Sequence, residues 1–310
     1  MINFVAMGEC MVEFSQCEPG VYRQSFAGDV YNTAVYLKRL QQGQANVALL
    51  SGIGVDALSQ DMVVAFGKES IDTSFLQKVE QRILGAYLIQ TSPQGERSFV
   101  YWRDNSAAKY TLSSLTATAR QALLNDCDIF YFSGISLAII TPDDRPLFWQ
   151  LLSELKQAGV QVVFDSNYRP RLWKDSTEAI ALYELAYQVS DVVFAGMEDF
   201  ELLNGLASYD AIASYLKPFS INELVIKNGS DDVICISDLE KTVVKVTAVE
   251  LVVDSTSAGD SFNAGYLHAR AQDKSMTEAV ELACKVSALV IGHQGAIVEE
   301  KAYVDFISQC

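Results

Sequence analysis

Asp260 stands where a polar, small-residue turn runs into an apolar helical stretch, in the run Asp254-Ser255-Thr256-Ser257-Ala258-Gly259-Asp260-Ser261-Phe262-Asn263-Ala264-Gly265. The first N–H groups of a helix have no intrahelical partner and carry partial positive charge, so such a junction attracts anions. Ala258 and Gly259 put almost nothing between that backbone and a ligand. A carboxylate beside an anion site can take the proton of a hydroxyl that attacks a phosphoryl group. An Asp in a first helical turn can also do no more than complement the helix dipole.

Other side chains offer a place for the hydroxyl's owner. Period-two alternation puts Phe99, Tyr101 and Arg103 on one strand face, and Ile83, Gly85, Tyr87 and Ile89 on one face of the strand before it. Tyr87, Tyr101 and Arg103 thus present two phenols and a guanidinium to one ligand. Arg169 follows the apolar run 160–165. Two arginines can grip a carboxylate by bidentate hydrogen bonds, so the pair would suit an acidic ligand. The bland reading is that Arg103 and Arg169 pair with some of the 39 acidic side chains. Gly28-Asp29-Val30-Tyr31-Asn32 opens a helix. Gly28 permits close approach to the backbone, Asp29 and Asn32 can bond hydroxyls, and Asp29 also reads as the N-cap. No Gly-x-x-x-x-Gly-Lys-Ser/Thr occurs, and Gly52-Ile53-Gly54 lacks the third glycine of a dinucleotide-binding turn. A P-loop enzyme and a Rossmann dehydrogenase are both disfavoured.

The elements that must position these groups alternate. Short apolar runs at 3–7, 46–51, 129–133, 160–165, 192–195 and 223–227 read as strands, mostly parallel and buried on both faces. Helical patterns lie between them, beginning with 29–40. The predicted fold class is α/β, a doubly wound, mostly parallel sheet flanked by helices, with ligands gathering beyond the carboxyl ends of the strands. Residues 9–26 and 83–103 break the rhythm as two strand pairs with no helix between, the second turning at Gln94-Gly95. They predict a small β-sheet inserted in one domain spanning 1–310.

Composition narrows the partners. Lys plus Arg number 23 against 39 Asp plus Glu, a net charge of −16, which repels nucleic acid and anionic membranes. The six scattered cysteines form no C-x-x-C pair and read as reduced structural thiols. His268 and His293 fall in helical patterns and read as packed or surface residues. No leader or bilayer-length apolar run is visible, so the expectation is a cytoplasmic protein.

The Ala258-Gly259-Asp260 segment resembles the signature of the ribokinase-like sugar kinases, and the similarity runs through nearly the whole chain. Gly8-Glu9-Cys10-Met11-Val12-Glu13, Tyr101-Trp102-Arg103, Ser133-Gly134-Ile135-Ser136-Leu137-Ala138 and Asn167-Tyr168-Arg169-Pro170-Arg171-Leu172-Trp173 point to a sugar-acid kinase within that family. The resemblance implies ATP and Mg2+ as cofactors. It implies Asp260 as base, with Ala258 and Gly259 at the transferring phosphoryl. It puts Gly28, Asp29, Asn32, Tyr87, Tyr101, Arg103 and Arg169 on the sugar, beneath a β-lid through which two copies often pair. It puts Asn167, Arg169, Lys227, Gly229 and Asp232, with Ala258 and Gly259, on the nucleotide side. The family has two adjacent glycines where this chain has Ala27-Gly28, and an Asn-x-x-Glu metal motif where it has Gly196-Met197-Glu198-Asp199. Direct metal ligands are therefore unassigned; Asp199 through water and Glu198 are the candidates. The resemblance also allows a monovalent cation near Asp254. Two alternatives stand: a fructokinase-like kinase of a neutral sugar, and a non-catalytic sugar-acid sensor.

Overall fold

The computed structural model describes residues 2–18, 20–91, 97–249 and 251–307. The predicted turn at Gln94-Gly95 and the thiol of Cys310 lie outside them. The strands are β1 (Ile2–Met7), β2 (Met11–Glu18), β3 (Val21–Ala27), β4 (Ala45–Ile53), β5 (Leu76–Lys78), β6 (Ala86–Thr91), β7 (Arg97–Trp102), β8 (Ile129–Ser133), β9 (Gln161–Asp165), β10 (Val192–Gly196), β11 (Glu223–Lys227), β12 (Val233–Ile236) and β13 (Lys241–Val244). The helices are α1 (Asp29–Gln41), α2 (Ala57–Lys68), α3 (Ala117–Asp126), α4 (Gly134–Ile139), α5 (Arg145–Gln157), α6 (Ser176–Val189), α7 (Met197–Asn204), α8 (Tyr209–Leu216), α9 (Ala258–Arg270), α10 (Met276–Ile291) and α11 (Glu300–Ile307).

The large sheet has nine strands in the order β13-β12-β11-β10-β9-β8-β1-β4-β5. All its pairs are parallel except β11 with β12 and β12 with β13. Alternation sends Phe4 and Ala6 of β1 into the core under α1, α9 and α10, and Val5 and Met7 into the core under α5, α6 and α7. Each central strand is apolar on both faces because helices cover both. The antiparallel pair β12–β13 and the short β5 extend the predicted sheet at its two edges.

The carboxyl ends of the central strands finish level. Ser133 pairs with Asp165 across β8 and β9, and Gly196 with Lys227 across β10 and β11. On this edge α9 packs tightly against α10: a Cβ on Gly265 would lie 2.8 Å from Ala283 Cα.

The second sheet has four strands in the order β3-β2-β6-β7. Both predicted strand pairs are present as antiparallel hairpins, and the two hairpins join through the parallel pair β2–β6.

One local expectation is corrected. Asp29 does not cap α1: Gly28 holds the cap position without a side-chain bond, and Asp29 is the first helical residue. Its carboxylate is drawn off by two donors from other strand ends, Ser133 Oγ and Asn167 Nδ2.

Candidate active site

The turn before α9 is held from both sides. Asp254 accepts from Thr256 N at 3.0 Å and from Gly295 N at 2.7 Å. Ser287 Oγ of α10 donates to Ala258 O at 3.0 Å. Ser257, the residue before the helix, sits in the left-handed region at φ 65°. Such a conformation costs energy in a non-glycine residue and persists only where neighbours enforce it. Its hydroxyl donates to Asp260 Oδ2 at 3.0 Å, so the turn and the carboxylate fix each other.

Asp260 also accepts from Asn32 Nδ2 at 2.9 Å. Burial raises its pKa to about 7, and the nearby charges of Asp29 and Asp165 push the same way. A carboxyl so tuned can take and hold a proton near neutral pH.

Lys227, at the end of β11, brings the cation. Its Nζ lies 3.2 Å from Asp165 Oδ1 and donates to Asn263 Oδ1 at 2.8 Å. A Cβ built on Gly259 would be 3.8 Å from the same ammonium, which therefore stands beside the helix start. Gly229, with a positive φ of 56°, turns the chain just beyond. The Asp232 carbonyl accepts from Tyr209 OH.

The start of α1 meets the strand ends. Gly28 is tight: a Cβ there would come within 2.2 Å of Glu9 O. Asn167 Nδ2 donates to Asp29 Oδ2 at 2.9 Å. Asn167, assigned to the nucleotide side from sequence, thus sits against a residue assigned to the sugar side, and both belong to one polar seam.

Tyr87 and Tyr101 are directly opposed in β6 and β7, with ring centroids 5.7 Å apart. Tyr87 packs with Met11, Ala27 and Ala296. Ala296 adjoins Gly295, which binds Asp254, so this face of the small sheet turns toward the α9 turn. Arg103 is buried and paired with Glu9. Arg169 is exposed, donates to Tyr168 O at 3.0 Å and lies 3.9 Å from Asp199 Oδ1. The two guanidiniums therefore face different carboxylates.

Asp199 accepts from Ser166 Oγ at 2.6 Å and from Tyr168 N at 3.0 Å, and burial lifts its pKa to about 6. Glu198 beside it is exposed. Among the described residues no group of three or more His, Cys, Asp or Glu side chains converges to hold a metal ion. The five cysteines among them are free. His268 is buried and His293 Nδ1 lies 2.9 Å from Leu289 O, both packed as expected.

The structure adds groups that the sequence did not single out as site residues. Glu9 and Glu13 sit on the lid's inner path, and Asn263 links Lys227 to Tyr131 OH at 3.0 Å. An open groove of about 580 Å3 runs between the segment after β13 and one face of α10, lined by Val244, Thr247, Val249, Cys284, Lys285 and Ala288. Helix α10 reaches the α9 turn through Ser287, so the groove and the turn share a wall.

Residues 1–302 match the model of the pfkB family carbohydrate kinases. The chain is 37% identical over 305 residues to the 2-dehydro-3-deoxygluconokinase of Escherichia coli strain K12, covering 97% of this chain and 98% of that one. Among solved structures it resembles a PfkB protein from Polaromonas sp. JS666, with a TM-score of 0.85, 21% identity and 99% of each chain covered. It also resembles a fructokinase with bound ATP from Xylella fastidiosa, with a TM-score of 0.84 and 23% identity over 99% of this chain and 98% of that one.

Proposed function

This chain belongs to the pfkB family of carbohydrate kinases, and we propose that it transfers the γ-phosphoryl of ATP to the 6-hydroxyl of 2-dehydro-3-deoxy-D-gluconate. The observation that carries this is Asp260, held by Asn32 and Ser257 at a helix start beside the Lys227 ammonium. Asp260 takes the hydroxyl proton as the O–P bond forms. The helix start at Ala258 and Gly259, where the Ala258 N–H already donates to Ser255 O at 3.2 Å, joins the helix dipole to Lys227 in stabilising the charge that spreads over the transferring oxygens. Gly28, Asp29 and Asn32 take the sugar's hydroxyls. Tyr87 and Tyr101 line it, and Arg103 and Arg169 turn to its carboxylate. Closure of the small sheet over the sugar excludes water, which would otherwise attack ATP.

The nucleotide base lies in the groove of Thr247, Val249 and Ala288, and its phosphates run past Gly229 and Lys227 to the α9 turn. The donor set suits a Mg2+ carried on those phosphates better than one caged by protein, since both Asp199 oxygens already accept hydrogen bonds. Asp199 and Glu198 would reach it through water, and when bound it neutralises phosphate charge. A monovalent cation near Asp254 is part of the same proposal.

Among the described residues no helix is long and apolar enough to cross a membrane, and we place the enzyme in the cytoplasm as one domain with an inserted lid. Exposed Val21 and Tyr22 on β3, and Val100 and Trp102 on β7, line the lid's two edge strands. We propose that these edges pair two copies; light scattering giving one protomer mass at every concentration would remove that part.

Release of ADP from Mg-ATP, measured with 2-dehydro-3-deoxygluconate, its 4-epimer, fructose and ribose, tests the reading. Turnover confined to the sugar acids supports it. One observation favours a second reading, a kinase of a neutral ketose: Arg103 is already paired with Glu9 and Arg169 lies near Asp199. Turnover confined to fructose would select that reading.

A further inference from the structure

A row of polar side chains crosses the whole lid. Ser25 is opposite Glu13 across β3 and β2, Glu13 opposite Tyr87 across β2 and β6, and Tyr87 opposite Tyr101 across β6 and β7. Glu13 is only 5% exposed, yet it makes no ion pair among those seen in the described residues. Its carboxylate is instead filled by hydroxyls. Ser15 Oγ and Ser25 Oγ donate to Oε1 at 2.8 and 3.0 Å, and Tyr87 OH donates to Oε2.

A phenol has one proton and, besides it, only acceptor capacity. Burial and the adjoining Glu13 charge raise the Tyr87 pKa, so the phenol keeps that proton at any working pH. With the proton committed to Glu13, the oxygen can only accept from a ligand. We propose that Glu13 is a positioning residue for specificity: by accepting the Tyr87 O–H hydrogen bond it makes the lid read a substrate hydroxyl at that point and reject an oxo or carboxylate oxygen there. This rests on the reading that the Tyr87 face of the lid covers the sugar. It also divides labour within the lid. Arg103, which has only donors, meets the acid end, and Tyr87, left with only an acceptor, meets a hydroxyl. A wrongly oriented substrate would put two acceptors face to face, and a buried polar group without a partner is costly.

The test is steady-state ADP release by the full chain with 2-dehydro-3-deoxygluconate, for wild type, Glu13→Ala, Tyr87→Phe and the double variant. Each single change is expected to raise KM by about tenfold with kcat altered less than about twofold. The double variant should be no worse than Tyr87→Phe, because Glu13 acts through that hydroxyl. Glu13→Gln keeps an oxygen that can accept the phenol's hydrogen bond and should return KM to within about threefold of wild type. Multiplied effects in the double variant, or an unchanged KM in Glu13→Ala, overturn the inference. Should Glu13→Ala unfold, Glu13→Met fills the space without an acceptor and takes its place in the same comparison. If wild type uses a neutral ketose and not the sugar acid, the substrate reading fails, and the same variants on that ketose decide the role of Glu13.

Discussion

Asn32 Nδ2 donates to Asp260 Oδ2 across 2.9 Å, joining the first turn of α1 to the first turn of α9 over 228 positions of sequence. The bond holds the carboxylate that the proposed mechanism uses as its base. Asp260→Asn keeps the shape and removes the base, so kcat should fall about a thousandfold while the far-UV spectrum is unchanged. Near-normal ADP release by that variant would remove Asp260 from the mechanism.

The same carboxyl predicts the pH response. Burial and then the Asp29 charge lift its pKa to about 7, and only the ionised form is a base. The value of kcat/KM should climb with pH below about 7 and level off above it. Asp29→Asn removes a like charge and should move the midpoint down; a midpoint that stays or rises in a pH–rate profile contradicts the assignment.

Stability should run the opposite way. A carboxyl whose folded pKa is raised favours the fold while neutral, below its unfolded value, and loses that contribution as pH rises through the folded value. Asp260→Asn stays neutral, so it should unfold at a higher temperature than wild type at pH 8, with a smaller gain at pH 5. Scanning calorimetry at the two pH values reads the difference directly.

Glu9 and Arg103 are 1% and 9% exposed, and Glu9 Oε1 and Arg103 Nε are buried without a partner among the described residues. Removing one charge strands the other. Glu9→Ala should cost about 3 kcal/mol in urea unfolding, and Glu9→Ala with Arg103→Met should recover part of it. A double variant less stable than Glu9→Ala alone would show that the pair is not the cause.

The groove gives a prediction that separates the two substrates. Ala288→Trp fills it from the α10 side and should raise KM for ATP by about tenfold or more while leaving KM for the sugar within about twofold. An equal rise for both substrates would place the groove outside the nucleotide path.

Much of the fold was legible because its strands are short apolar runs with polar ends, a pattern that only two covered faces produce. The edge strand β13 was less so, since a half-exposed strand such as Lys241–Val244 carries a mixed pattern. Within the site, Asp260, Lys227 and the opposed Tyr87 and Tyr101 follow from local motif and period. The partners of Asp29 do not: Ser133 and Asn167 are 104 and 138 positions away, and only the strand order brings them in. Glu9, in the connection between β1 and β2, and Glu13, in β2, stand out only as part of a motif, because an isolated acidic residue looks like a solvated one until its neighbours are known.

The parallel pair β2–β6 has a consequence for how the chain is made. The hairpins it joins are separated in sequence by α1, β4, α2 and β5, and β4 and β5 belong to the large sheet. A lone hairpin is marginal in water, and closing a long loop costs entropy before its contacts return anything. The lid can therefore assemble only after the first strands of the sandwich have docked. In the finished protein the lid amides should be the first to exchange with solvent and β8–β10 the last.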